Sequence, residues 1–173
     1  MPHSSIIRRF PNNPLIHPSQ AKPSHPGLEV LGVFNPGATL FEGRSLLLVR
    51  VAERPIQEKG YVSTAVLDEG SGELKILRFR LDDPKLDFSD PRLIRYDGVG
   101  YVTSISHFRK AVSVDGHVFT MDDAPTLAGS GPHETYGIED ARIVKLEGVY
   151  YISYTGVSKV GVLTLLASTR DFQ

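Results

Sequence analysis

Cysteine is absent from these 173 residues, and the six histidines are scattered, at His3, His17, His25, His107, His117 and His133, with no HExxH pattern. Neither a disulfide framework nor a locally written zinc site is therefore available, and no metal is expected. Charge of one sign is also lacking: 19 basic and 20 acidic side chains leave a formal net charge of −1. Nothing in that balance attracts a polyanion, which argues against nucleic acid as a partner. Long apolar runs are missing as well. The opening stretch "MPHSSIIRRFPNNPLIHPSQAKPSHPG" has no signal-peptide core, and nothing later approaches the roughly 20 apolar residues of a membrane span. A protein with no membrane partner, in the cytoplasm, is the expectation. Extended helical periodicity is the last thing absent.

What remains is strand-like. From Leu28 onward, short runs of Val, Ile, Leu, Tyr and Thr are broken by Gly, Asp and Pro, the mark of an all-β fold. Residues 1–27 read as an extended N-terminal segment ahead of it. With 40% hydrophobic residues the chain can fill one core of ordinary size, so 1–173 reads as a single domain.

Three stretches share one pattern: "NPGATLFEGRSLLLVRV" from Asn35, "DPRLIRYDGVGYVTSIS" from Asp90 and "DARIVKLEGVYYISYTG" from Asp140, spaced by 55 and 50 residues. Each has a carboxylate or carboxamide, an extended run, an acid–glycine turn and a second extended run, which is a hairpin. Repeats of this size suit the blades of a β-propeller, in which one small sheet buries its faces only against neighbouring blades. Closure takes at least four blades, so this chain is expected to supply roughly the first two to three. The rest of the ring would lie outside this sequence or come from another chain, a homo-oligomer included.

Equivalent positions on successive blades converge on a central funnel. Asn35, Asp90 and Asp140 are therefore expected near one another, where amides and acids can hydrogen-bond a polyol and a carboxyl can act as acid or base. Burial beside Glu139 would raise the pKa of such a carboxyl, and Arg142 would lower it. Side-chain alternation puts Arg142 on the face of Asp140, and His107 and Arg109 on one common face. Arg50 ends an apolar run and needs a partner, either an anion or sugar or an internal carboxylate. For each Asp, a turn-forming role that caps backbone N–H groups is the alternative. For His107 it is a structural hydrogen bond.

The ordered set "VFNPGA", "LLLVRV", "GIEDARIVKLEGVYYISYTGVS" and "LLASTRDF" resembles the N-terminal part of glycoside hydrolase family 130, the mannoside phosphorylases and related mannosidases, over residues from about Asn12 to the end. That resemblance implies a five-bladed propeller. It implies Asp140 as catalytic acid, protonating the leaving oxygen through a sugar hydroxyl, with Asn35 and Arg50 contacting the mannosyl unit at the cleaved bond. Ala141 stands where the family usually has proline. Asp90-Pro91-Arg92 supplies a rival to the catalytic motif, and the block around it looks more like members acting on β-1,2-mannosides. The activity implied is inverting phosphorolysis of β-mannosides to mannose 1-phosphate, with inorganic phosphate as co-substrate, a mannose-containing oligosaccharide as partner and no cofactor. Hydrolysis on the same scaffold, and a carbohydrate-binding fragment without activity, are the alternatives. The family's phosphate-binding residues belong to later blades, beyond Gln173. Asp90, His107, Arg109, Glu139 and Arg142 complete the candidate sugar contacts.

Overall fold

A computed structural model describes residues 7–173. The described residues form four sheets, and two of them carry the site. The first has the order β1-β2-β8-β9, from strands Leu28–Phe41, Arg44–Pro55, Ile105–Ser113 and Thr120–Met121. The second runs β10-β11-β12, from Ile138–Leu146, Val149–Ser158 and Gly161–Thr169. Every named pairing is antiparallel.

The acid–glycine turns behave as their sequence demands. Glu42 and Gly43 have φ of 49° and 73°, Asp97 and Gly98 of 51° and 82°, Glu147 and Gly148 of 47° and 79°. Positive φ at both central residues is the two-residue hairpin geometry whose twist matches that of the flanking strands. All three hairpins are therefore real. Their placement, however, differs from copy to copy.

The first and third copies are β1-β2 and β10-β11, and their sheets pack face to face. Leu46, Leu48 and Phe108 of the first sheet meet Ile138, Ala141, Tyr150 and Ile152 of the second, all nearly sealed from solvent, with Phe172 closing the cluster. Burying each large side chain here contributes roughly 1.5–3 kcal/mol. The Tyr150 hydroxyl stays satisfied by donating to the Leu40 carbonyl at 3.0 Å. Close approach of the two sheets needs Gly37 on β1, where an added Cβ would lie 3.0 Å from the Ala141 carbonyl oxygen.

The second copy does not stand in that stack. It forms a separate three-stranded sheet, β5-β6-β7, from Leu86–Asp90, Leu93–Tyr96 and Val99–Val102. This packs on the two-stranded sheet β3-β4, Tyr61–Leu67 and Leu74–Arg80, through Val62, Phe79 and Ile94. Both small sheets are an insertion between β2 and β8, fastened to the first sheet by Ala65 against Leu28 and Ile105. Asp90 is thus not the spatial equivalent of Asn35 and Asp140. A hairpin signature is local, and it says nothing about which surface the hairpin covers.

Between residue 7 and β1 the described residues are irregular apart from a short 3-10 turn at Pro18–Gln20, capped by His17. Among the described residues, no helix is long and apolar enough to cross a membrane.

Candidate active site

Two bulges build the site. In the β1–β2 ladder Phe34 pairs with Arg50 and Gly37 with Leu48, so Asn35 and Pro36 together oppose one residue. In the β10–β11 ladder Glu139 pairs with Thr155 and Arg142 with Ser153, so Asp140 and Ala141 together oppose one residue. The irregularities fall at positions that the repeat alignment makes equivalent. A bulge bends its strand and re-aims a side chain, and bulges gather beside active sites. Asp140 pays for this in backbone conformation, with φ at 58°, a region that Asp tolerates better than most residues.

The re-aimed groups meet. Asn35 Nδ2 donates to Asp140 Oδ1 at 2.8 Å, across 105 residues of sequence. Arg50 Nη1 lies 3.6 Å from the same oxygen. Arg50 Nη2 donates to Glu139 Oε1 at 2.5 Å, and its Nε donates to Ser106 Oγ at 3.1 Å. The guanidinium also rests over the Phe34 ring, 5.2 Å from its centroid. Arg50 is held on several sides, with its side chain 18% exposed, whereas that of Asp140 is 48% exposed. The cation is fixed and the acid is open. Burial pushes the Glu139 carboxyl up; Arg50 opposes this and neighbouring Asp140 adds to it.

The sequence brings Asn35, Arg50, Glu139 and Asp140 to one place, as expected. Phe34 and Ser106 join them unanticipated, although Phe34 holds the repeat position of Glu139 and could have been found that way. Arg142 departs from the expected pairing. Among the described residues no ion pair links it to Asp140, and its Nη1 donates instead to the Ala141 carbonyl at 2.8 Å. The reason is the bulge, which interrupts the alternation that would have put both on one face.

His107 and Arg109 do share a face, but that face is closed. They are 5% and 0% exposed, locked with fully buried Glu53. Arg109 Nε donates to His107 Nε2 at 2.9 Å, and Arg109 Nη2 to Glu53 Oε1 at 3.4 Å. Ser24 of the N-terminal segment caps the other side: its backbone N–H donates to Glu53 Oε1 at 2.7 Å and its hydroxyl donates to Oε2. Burial, with Arg109 beside it, lowers the His107 pKa to about 3, so the ring is neutral at ordinary pH. The expectation of sugar contacts from this pair is corrected to a structural role. Asp90 likewise spends its carboxylate locally, accepting from the Arg92 backbone at 2.9 Å and pairing with the Arg92 guanidinium at 3.3 Å. That pairing holds Asp90 below the usual carboxylate range.

An open acid, an amide and an anchored guanidinium meet at the junction of two blade-like sheets, in a β-propeller architecture of which this chain supplies a part. Comparison with known proteins makes the class particular. A family model described as beta-1,4-mannooligosaccharide phosphorylase, that of glycoside hydrolase family 130, matches residues 90–173. A "Beta-1,2-mannobiose phosphorylase" of Listeria innocua is 44% identical over 96% of this chain and 48% of its own length. A solved "Beta-1,2-Mannobiose phosphorylase from Listeria innocua", in complex with beta-1,2-mannobiose, superposes with a TM-score of 0.87 at 43% identity, over 95% of this chain and 48% of that one. A putative glycoside hydrolase from Parabacteroides distasonis shares the fold at TM-score 0.62 and 21% identity, over 96% of this chain and 39% of its own. The chain belongs to glycoside hydrolase family 130. It spans about half the length of the Listeria relative.

Proposed function

We propose that this protein takes part in cleaving β-mannosides by inverting phosphorolysis, with β-1,2-linked substrates favoured. The carrying observation is the convergence of Asn35 and Arg50 on the open carboxyl of Asp140, in a chain 44% identical to a β-1,2-mannobiose phosphorylase. Asn35 and Arg50 hold the mannosyl unit. Asp140 gives a proton to the leaving oxygen through a sugar hydroxyl, as the C1–oxygen bond breaks and a phosphate oxygen bonds to C1 from the opposite face. Phosphate enters carrying a proton, which restores the carboxyl. The products are mannose 1-phosphate and the shortened sugar.

Phosphate brings its own nucleophilic oxygen and needs cationic clamps, not a second carboxylate to activate water. The cytoplasm, where inorganic phosphate is at hand, is the compartment this chemistry suits.

Incubation with β-1,2-mannobiose, with and without phosphate, tests the reading. Mannose 1-phosphate formed only with phosphate is expected. Free mannose in both incubations would replace phosphorolysis by hydrolysis, and sugar binding without either product would reduce the protein to a binding module.

A further inference from the structure

Ser106 touches both halves of the site, with different atoms. On β8 it pairs with Ala52 of β2, two residues along from Arg50, so its side chain shares a face with that arginine. Its Oγ accepts from Arg50 Nε at 3.1 Å. Its backbone forms a parallel bridge with Gly137, which leads into β10 two positions before Glu139 and three before Asp140. Gly137 has φ of 92°, and an added Cβ would lie 2.5 Å from the Ser106 carbonyl oxygen and 2.6 Å from its nitrogen. Only a residue without Cβ allows the two chains to come so close. The bridge is firmly seated. Ser106 is buried, as is Phe108 beyond it, and Gly137 is held from both sides. The Gly137 N–H donates to the Glu134 carbonyl at 2.8 Å, and its carbonyl accepts from the Val157 N–H at 3.1 Å.

One edge of the Arg50 guanidinium is thereby committed. Ser106 takes Nε and Glu139 takes Nη2, which leaves Nη1 3.6 Å from Asp140 Oδ1, beyond hydrogen-bond reach. An unrestrained arginine beside a carboxylate turns to make two parallel N–H···O bonds with it. Such a pairing would occupy the carboxyl and the cation together. The Glu139 contact alone leaves the guanidinium free to pivot about Nη2, and the Phe34 ring, lying against its face, does not oppose rotation in its plane. A second contact at Nε stops the pivot.

We infer that Ser106 is a positioning residue, which acts through Arg50 to hold that cation short of Asp140 and available to the mannosyl unit. This rests on the reading of Arg50 as a mannosyl contact. Gly137 gives the serine its place relative to the acid, because the bridge ties Ser106 to the segment that carries Glu139 and Asp140.

The test is a double-mutant cycle, with affinity for β-1,2-mannobiose measured by NMR titration of the unaltered protein, Ser106→Ala, Arg50→Ala and the double variant. Ser106→Ala should weaken binding about tenfold, the size expected for a lost hydrogen bond to a charged group. In the Arg50→Ala background the same change should cost less than about twofold, since a residue that acts through another has no effect once that other is gone. General loosening of the site would instead weaken binding equally in both backgrounds. Circular dichroism checks that the variants fold. A second readout needs no serine variant: the Arg50 Nε–H cross-peak, assigned by its loss in Arg50→Ala, should exchange slowly with water in the unaltered protein. Fast exchange, or a Ser106→Ala effect that is absent or equal in both backgrounds, would overturn the positioning role alone. Failure of the unaltered protein to bind mannobiose would overturn the function on which it rests, and the role with it.

Discussion

Strand β2 presents two charged side chains three residues apart, Arg50 and Glu53, and their surroundings could hardly differ more. Arg50 is anchored by Glu139, Ser106 and the Phe34 ring, yet the carboxyl beside it, Asp140, is about half open. Glu53 is fully buried, with Arg109, His107 and Ser24 closing every approach. Charge and hydrogen bonding are present in both clusters. On the proposed function, what separates the two clusters is whether one reactive atom is left reachable after the others have been satisfied. A buried ion pair of the Glu53 type adds little net stability over a well-packed apolar substitute, but it is costly to break from one side.

That contrast can be broken from either end. The largest effect is expected from Asp140→Asn, which tolerates the same positive φ and so should leave the thermal midpoint unchanged. It should lower the rate of mannose 1-phosphate formation by about 10²- to 10⁴-fold, the usual worth of a positioned proton donor. Glu53→Ala should do the reverse, costing about 3–5 kcal/mol in denaturant unfolding because Arg109 is left buried without its carboxylate. Arg50→Ala should weaken mannoside binding by more than tenfold and cost less than Glu53→Ala in unfolding, since its partners remain partly solvated.

The smallest effect is in pH. The His107 pKa is depressed to about 3 from an ordinary value of 6.5. In that window the unfolded chain binds a proton that the folded one refuses, so stability is full above about pH 6.5 and declines as pH falls toward 3. Thermal melts between pH 7.5 and pH 5 should show the decline, and His107→Gln should flatten it.

Much of this architecture was legible beforehand, because hairpin turns are chemically explicit. Glu42-Gly43, Asp97-Gly98 and Glu147-Gly148 announce positive φ, and the spacing from each turn back to Asn35 or Asp140 is the same in both blades. Side-chain direction was less legible. Alternation fails at Asp140-Ala141 because a bulge inserts one residue, and no residue type there demands it, Asp140 not being the glycine that such a conformation favours. Alternation on β8 held for His107 and Arg109, but the fate of that face depends on Ser24, contributed by a distant and irregular segment. The Asp90 hairpin matched in pattern and not in place, since its tertiary surroundings are decided by Phe79, Ile94 and Tyr101 packing within the insertion.

A crystal structure of the protein grown with β-1,2-mannobiose tests the central claim most directly. A mannosyl ring hydrogen-bonded to Asn35 and Arg50, with its glycosidic side toward Asp140, is the expected result. A disaccharide bound elsewhere, with the Asn35–Asp140 contact undisturbed and the cluster free of sugar, would contradict it.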